Sequence, residues 1–287
     1  MTQMFSSSAD FRKSLESRLK NLSLARNVDL QRLRRKVAFD RLLARIFSAE
    51  EPQFFLKGGY AMELRLSTAR ATKDIDLTTL KRVSLEQNSS VNHLILSDLR
   101  LLSRKNMNDF FVYQIGEAQI DLDNAPYGGA RFPVSSFVDG KVFVKFQLDV
   151  GADAIVDRIE SCPGTDWLGF CGIPSPNFAM ISAEQQFAEK LHAYTLPRQD
   201  RINTRVKDLI DMVLLIQMRP LNLNNLKQVV ERVFRIRETH TLPQNIEAPP
   251  SQWQGPYKEL ADECLLPLSL EEAFTEVVKV RLTIQEL

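Results

Sequence analysis

The chain has 287 residues, of which 44% are hydrophobic and 25% are charged, and its formal net charge is +1. A chain of this size can bury a full core, in one large domain or two modest ones. No apolar run reaches the length of a bilayer span, and the N-terminus lacks a basic segment followed by an apolar one, so we expect a cytoplasmic protein. The three cysteines lack metal-ligand spacing, which argues against structural zinc and disulfides.

The N-terminal segment is strongly basic. From Asp10 to Arg45 there are eleven Lys or Arg residues against four Asp or Glu residues. Apolar residues recur at helical spacing, which predicts one or two amphipathic helices with a basic outer face. This face either holds RNA phosphates through counterion release or is an ordinary solvated helix exterior. The residues singled out on it are Arg32, Arg34, Arg35 and Lys36.

A glycine pair follows an apolar run in the segment Leu56-Lys57-Gly58-Gly59-Tyr60-Ala61. We expect a strand that ends here, a turn at the glycines, and a short helix over residues 60–66. Backbone N–H groups at such a helix start would face phosphates, and a side chain at either glycine would obstruct that approach. Lys57, Gly58 and Gly59 are therefore predicted to bind nucleotide.

Two carboxylates follow in the segment Arg70-Ala71-Thr72-Lys73-Asp74-Ile75-Asp76-Leu77. Side chains two apart on a strand share a face, so Asp74 and Asp76 project together. Two adjacent carboxylates repel each other unless a cation lies between them, and Mg²⁺ accepts one or two carboxylates together with phosphate oxygens. Asp74 and Asp76 are predicted as catalytic metal ligands, and the alternative is a solvated strand face.

Two neighbours of this pair also bear on phosphate binding. Arg70 is the candidate for binding the triphosphate, because arginine binds phosphate in a bidentate way. On a strand, Thr72 would share the face of Asp74, and phosphorylation there would place negative charge where the triphosphate must lie. Thr72 is thus a possible regulatory phosphosite, and the alternative is a β-branched residue that only packs.

A third carboxylate is expected on a later strand. Residues 141–149 alternate, with Val142, Val144, Phe146 and Leu148 on one face and Phe143, Lys145, Gln147 and Asp149 on the other. Asp149 would end this strand. If the strand lies beside the one carrying Asp74 and Asp76, the three carboxylates converge, as two-metal phosphoryl transfer requires. Asp121 and Asp123 form a competing Asp-x-Asp pair, which lacks a preceding glycine turn and leads into a loop.

From residue 181 the pattern becomes helical. A capping signal at Ser182 opens a helix that carries Lys190, and the next helix carries Asp208 and Asp211 three residues apart. Lys190 either neutralises charge on the departing pyrophosphate or is an exposed surface lysine. Asp208 and Asp211 either orient Lys190, act as a base toward an attacking hydroxyl, or pair with neighbouring cations. Which of the two matters stays open at this point.

These segments resemble the AbiEii/AbiGii-type nucleotidyltransferases, which include the MenT toxins of toxin–antitoxin systems and belong to the polymerase-β-like superfamily. The superfamily pattern is a hydrophobic-Gly-Gly/Ser turn, a spacer of about ten residues, an Asp-x-Asp/Glu pair and a later carboxylate. The likeness continues in residues 188–193 and 205–211. Here the second glycine replaces the commoner serine, so a hydroxyl contact to phosphate is lost.

The resemblance implies an α+β fold with a polymerase-β-like core, a mixed sheet with helices, N-terminal helices packed on it, and a C-terminal helical lobe. The domains would be residues 1–50, 51–177 and 178–287. Within them, residues 151–177 look like a connection between lobes, and residues 243–256 like a loop before the last helix.

The resemblance also implies an activity. Members transfer an NMP from an NTP to RNA with Mg²⁺ or Mn²⁺, in some relatives to the tRNA 3′ end, and thereby block translation. A protein antitoxin encoded beside the toxin would be the partner. The alternatives are transfer to a protein or small molecule, and a catalytically inactive nucleotide-binding module.

Overall fold

The computed structural model describes residues 5–66, 68–80, 91–121, 128–152, 156–198, 201–218 and 220–287, with backbone only at residues 120, 121 and 218. The chain forms two compact units. The first unit contains Met1–Leu64, Ala71–Asp153 and Ser161–Met180, and the second contains Arg65–Arg70, Ala154–Glu160 and Ile181–Leu287.

Two long helices open the first unit, α1 (Ser8–Arg26) and α2 (Leu30–Ile46). Ser7 and Asp29 cap their N-termini, because each side chain accepts a hydrogen bond from a backbone N–H three residues later. The prediction of N-terminal helices is therefore confirmed.

The outer face of these helices is not simply basic. Arg34 Nη2 lies 2.6 Å from Glu16 Oε2, so this residue is neutralised within the helix pair. Arg32 and Lys36 each lie 3.2 Å from a carboxylate oxygen of Glu63. The predicted basic outer face is therefore partly neutralised, because three of the four residues pair with carboxylates of the same unit.

A mixed sheet forms the centre of the first unit. Its strands are β1 (Phe54–Lys57), β2 (Asp74–Thr79), β3 (Val112–Ile115), β4 (Ile120–Asp121), β5 (Gly129–Val138), β6 (Lys141–Ala152), β7 (Ile159–Pro163) and β8 (Asn177–Ile181). Within the described residues their order is β3-β5-β6-β2-β1-β8-β7, with β4 paired to β5. Helix α3 (Gly58–Arg65) connects β1 toward β2, and α4 (Val91–Ser103) precedes β3.

One face of this sheet is covered by helices, since α2 packs on β6 and α4 packs on β3 and β5. Alternate strand residues point into that layer, and Ile75, Leu77, Leu148 and Val150 are fully buried there. Because the side-chain period of a strand is two, the residues between them occupy the opposite face. The predicted α+β fold is confirmed.

Two sequence expectations within the sheet need correction. Strand β6 does not end at Asp149 but continues to Ala152. A β-bulge between Ser136 and Phe137 shifts the pairing of β5 with β6. As a result Phe143 is 6% exposed and Val142 44% exposed, the reverse of the predicted alternation at the start of β6.

The segment predicted as a connection, residues 151–177, also differs from the expectation. It contains β7 and begins β8, and β8 runs parallel to β1 with Leu56 opposite Met180. These strands extend the sheet beyond β1, so the segment is not a bare connection between lobes.

The second unit is helical from residue 183 onward. Its helices are α5 (Ala183–Thr195), α6 (Val206–Met218), α7 (Leu223–Arg237), α8 (Gln254–Glu263) and α9 (Leu270–Glu286). Helix α6 contacts α5, α8 and α9, which buries its apolar residues almost completely. Among the described residues, no helix combines the length and apolar character needed to cross a membrane.

Helix α8 corrects the prediction that residues 243–256 are a loop throughout. It begins at Gln254, and Pro256 is tolerated because it stands in the first turn, where backbone N–H groups lack helical partners. Two buried aromatic residues anchor this helix. Trp253 Nε1 donates to the Asn203 carbonyl at 2.7 Å, and Tyr257 Oη donates to the Leu268 carbonyl at 3.0 Å.

Candidate active site

The glycine turn joins β1 to α3 in the first unit. Gly58 has φ +65°, a left-handed backbone conformation that L side chains rarely adopt. A Cβ atom at Gly58 would lie 1.9 Å from Asp76 Oδ2, so only glycine leaves room for this carboxylate. The backbone N–H of Gly59 donates to the same oxygen at 3.3 Å. The turn therefore holds Asp76 directly, a contact that the sequence expectation of phosphate-facing amides did not include.

The candidate metal ligands lie in register on the face of the sheet opposite the helices α2 and α4. Strand β2 runs parallel to β6 and antiparallel to β1, so Asp76 stands opposite Asp149 on one side and Lys57 on the other. Asp74 stands opposite Gln147 in the adjacent row. Strand β6 thus lies beside β2, as convergence of the three carboxylates requires. The same register places Lys57 beside Asp76.

Asp149 has a partner that the sequence analysis missed. Arg131 on β5 stands opposite it and binds both carboxylate oxygens, with Nε donating to Oδ1 at 2.8 Å and Nη2 donating to Oδ2 at 2.7 Å. The hydrogen bond to Asp149 raises the pKa of Arg131, and the charges of Asp149, Asp74 and Asp76 add to the shift. Arg131 therefore lies within the electrostatic field of all three carboxylates.

The donor set suits a hard divalent cation at Asp74 and Asp76. Carboxylate and amide oxygens are the ligands that Mg²⁺ and Mn²⁺ prefer. The Oε1 atom of Gln147 is buried and has no hydrogen-bond partner in the described part of the chain, which adds an unused oxygen beside Asp74. Over the same described residues, however, no three His, Cys, Asp or Glu side chains are grouped as a metal site. The residues present therefore fit a divalent ion at Asp74 and Asp76.

The loop before β2 is fixed by Glu63 of α3. This buried carboxylate accepts the Thr72 backbone N–H at 2.7 Å, while Arg32 and Lys36 bind its other oxygen. Thr72 lies two residues before the strand begins and donates its hydroxyl to the Asp74 carbonyl at 3.4 Å. The assumption that Thr72 is a strand residue is therefore wrong, although its hydroxyl does lie against the glycine turn, 2.7 Å from where a Gly59 Cβ would be.

The second unit contains a charged cluster, which consists of Lys190, Asp208, Asp211 and Arg70. Asp211 is completely buried and accepts from Lys190 Nζ at 2.7 Å. Its two oxygens also accept from Arg70, Nε at 3.1 Å and Nη2 at 2.8 Å. Asp208 accepts from Lys190 at 3.3 Å and lies 3.6 Å from Arg205. Arg70, which the sequence assigned to the triphosphate, is thus bound to Asp211.

The electrostatics of this cluster follow from its burial. Burial by itself raises the pKa of Asp211, but the adjacent Lys190 and Arg70 outweigh it and hold that pKa below its ordinary value. Burial likewise lowers the pKa of Lys190, and Asp211 and Asp208 reverse the direction, so the pKa is raised. Asp211 is ionised and Lys190 protonated at neutral pH, so opposite charges hold the cluster together at its buried centre.

Of the competing Asp-x-Asp pair, only Asp121 lies within the described residues. Asp121 is on β4, paired with Ala130 of β5, and Asp123 lies outside the described residues. His192 of α5 accepts or donates a hydrogen bond at Thr239 Oγ1, 2.8 Å away, and burial lowers its pKa to about 3. It is neutral at pH 7 and packs against Phe234, as a structural histidine does.

A family model covers most of this architecture. The model of the AbiEii nucleotidyltransferase toxins of type IV toxin–antitoxin systems matches residues 41–280. The chain belongs to this family. It is therefore a nucleotidyltransferase and a toxin, and the resemblance found in the glycine turn, the Asp-x-Asp pair and the two later helices is confirmed.

Two solved structures are similar to this AbiEii-family chain. It is similar to MenT4, a nucleotidyltransferase toxin from Mycobacterium tuberculosis H37Rv, with a TM-score of 0.57 and 12% identity over 95% of this chain and 98% of that chain. It is also similar to JHP933 from Helicobacter pylori, with a TM-score of 0.46 and 14% identity over 90% and 98% of the two chains, a likeness too low to carry an argument. No curated protein matches the sequence. At this identity the MenT4 likeness supports the fold alone.

Proposed function

We propose that this AbiEii-family toxin transfers an NMP from an NTP to RNA with Mg²⁺ or Mn²⁺, that its acceptor is the 3′ end of tRNA, and that the modification blocks translation in the cytoplasm. The observation that carries the proposal is the pair Asp74 and Asp76 on one strand face beside the Gly58 turn, in a chain of a nucleotidyltransferase family. The antitoxin that this family implies is proposed to be a protein encoded beside the toxin.

The first unit supplies the groups for metal and nucleotide. Asp74 and Asp76 would hold the divalent ion through carboxylate oxygens, with Gln147 Oε1 as a neighbouring donor. When bound, such an ion neutralises phosphate charge and favours attack by a hydroxyl on the α-phosphate. Gly58 keeps the Asp76 carboxylate close to the turn, and Lys57 adds positive charge in the same row, where it would bind a phosphate oxygen.

Lys190 is the cation proposed for the leaving group. The sequence resemblance assigns Lys190 to the departing pyrophosphate, and the cluster supports this role because Asp211 and Asp208 keep the ammonium group charged and directed. Asp211 is proposed as the positioning carboxylate, since it is completely buried and holds Arg70 as well as Lys190. Asp208, bound more loosely at 3.3 Å, supports the same lysine.

Labelling with each α-³²P NTP tests the proposal. The purified toxin is incubated with Mg²⁺ and either total RNA or total protein, and a gel shows which pool carries label. We expect label on tRNA-sized RNA that is lost in Asp74→Asn and Asp76→Asn and retained in Asp121→Asn, the matched change in the competing motif. Label on protein would move the acceptor to the alternative class, and absence of label from both pools, with all four nucleotides, would favour the inactive module.

A further inference from the structure

Arg131 and Asp149 form a bidentate ion pair inside the row of candidate site residues. Across four strands the row reads Lys57, Asp76, Asp149 and Arg131, all half-buried on the same face of the sheet. The Arg131 side chain is 34% exposed and the Asp149 side chain 12%, so the guanidinium reaches solvent while the carboxylate lies behind it. The residue predicted as the third metal ligand is thus already paired with a cation.

This geometry bears on how Asp149 can act. Both of its oxygens accept from one guanidinium at 2.7 and 2.8 Å, the fork geometry typical of a strong charge-assisted pair. A divalent ion drawn to Asp149 would have to approach the positive charge of Arg131 as well. The charge of Asp149 is thus already balanced by a guanidinium that both of its oxygens bind.

The same geometry prepares Arg131 for phosphate. A guanidinium carries five N–H donors, of which the pair with Asp149 uses those on Nε and Nη2, and its planar fork matches phosphate oxygens. An arginine held by a carboxylate behind it loses less conformational freedom when it binds an anion in front. Arg131 is partly exposed on the same face as Asp76, so an anion can reach its guanidinium there.

We propose that Arg131 binds a phosphate of the NTP, and that Asp149 is a positioning residue for Arg131 and not a ligand of the metal ion. The metal site of this chain is then the Asp74 and Asp76 pair. This inference rests on the proposed function, because it assumes a metal-dependent reaction with an NTP, and it revises the role that the sequence suggested for Asp149.

A charge-neutral double variant separates the two roles of Asp149. Arg131→Gln combined with Asp149→Asn removes the ion pair without changing the net charge of the site. Mn²⁺ binding is measured by electron paramagnetic resonance of the free ion, without nucleotide or acceptor. If Asp149 only positions Arg131, the double variant binds Mn²⁺ within about twofold of wild type, whereas Asp76→Asn loses about tenfold or more, as the loss of a charged ligand predicts.

Nucleotide affinity supplies the second measurement. Each of the four mant-labelled NTPs is titrated in the presence of Mn²⁺, and the tightest is used for the variants. Loss of a charge-assisted hydrogen bond in Arg131→Gln should weaken binding about tenfold. Asp149→Asn and the double variant should show losses of the same size, because both act through the same guanidinium, and the losses should not multiply. Arg131→Lys should recover part of the affinity.

Lys145→Gln is the matched control. Lys145 is exposed on β6, four residues from Asp149, and its loss removes one positive charge from the same strand. It should leave both affinities within about twofold of wild type, since an exposed charge at that range is largely screened. Circular dichroism and melting temperatures verify that every variant is folded.

Three outcomes would overturn the inference. Loss of Mn²⁺ binding in the folded double variant would make Asp149 a metal ligand. Unchanged nucleotide affinity in Arg131→Gln would make the pair purely structural, and multiplicative losses in the double variant would show that the two residues act independently. If Mn²⁺ and nucleotide bind as expected but RNA is not labelled, the proposed acceptor fails while the assignment of Arg131 and Asp149 stands.

Discussion

Gly58→Ala provides a strong test of the glycine turn, because the size of the perturbation follows from the coordinates. The new Cβ would lie 1.9 Å from Asp76 Oδ2 and 2.4 Å from Asp76 Cγ, whereas ordinary carbon contacts are about 3.5 Å or longer. The Asp76 carboxylate must therefore move by about 1.5 Å or the turn must open. The left-handed φ of +65° adds a backbone cost of about 1–2 kcal/mol.

Gly140→Ala isolates the cost of the left-handed backbone, without a steric clash. Gly140 has φ +64° in the turn between β5 and β6, and nothing lies within 4 Å of the Cβ it would gain. Both variants should lose about 1–2 kcal/mol of unfolding free energy from backbone strain, and Gly58→Ala should lose more. Only Gly58→Ala should lose metal affinity and transfer activity, by about a hundredfold, as a ligand displacement above 1 Å predicts.

Mn²⁺ titration and the labelling assay, run beside urea unfolding, measure all three quantities. The reasoning would be refuted if folded Gly58→Ala bound Mn²⁺ as well as Gly140→Ala, since the clash between the new methyl group and Asp76 would then have no consequence for the site.

Three further predictions concern stability and control. Asp40 is buried and has a pKa raised to about 6 by that burial, so the stability it contributes is fully present below pH 3.8 and is lost as pH rises through about 6. Urea unfolding should show the free-energy difference between wild type and Asp40→Asn changing by about 2 kcal/mol between pH 4 and 7, and a difference independent of pH would contradict this. Asp109→Ala leaves Arg41 and Arg45 buried without their shared carboxylate, and should cost about 3–5 kcal/mol in the same assay, so a loss below about 1 kcal/mol would show that the pair is not needed. Thr72→Glu should lose mant-NTP affinity by about tenfold while Thr72→Val keeps it, because added negative charge lies against the glycine turn. Wild-type binding in Thr72→Glu, with no phosphate on Thr72 by mass spectrometry when the antitoxin is co-expressed, would end the idea of regulation there.

Local sequence patterns were sufficient to predict the geometry of the Asp-x-Asp pair and of the glycine turn. Two aspartates at i and i+2 on a strand share a face whatever the rest of the protein does, and two adjacent glycines between an apolar run and a helical pattern predict a turn. For the same reason the capping signal at Ser182 correctly marked a helix start, and its side chain accepts a hydrogen bond from the Gln185 N–H. These features depend on neighbours within a few residues.

Partners distant in sequence could not be predicted in this way. Arg70 has the residue type for phosphate binding, yet a carboxylate 141 residues later holds it. Arg32 and Lys36 belong to a basic segment, yet both form ion pairs with Glu63 of another helix. An ion pair forms wherever packing brings opposite charges together, and that juxtaposition is a property of the tertiary structure.

The pair of Arg131 with Asp149 shows where the limit lies. The turn at Asp139 and Gly140 predicts a two-residue hairpin, and an unbroken register from Val138 opposite Lys141 would place Arg131 opposite Leu148. The β-bulge beside Phe137 shifts the register by one residue and places Arg131 opposite Asp149. The sequence by itself determined the faces of short strands and the glycine turn, because these follow from local backbone geometry. Only the tertiary structure decided the register of β5 against β6, because a slip of one residue moves every side chain of a strand to the other face.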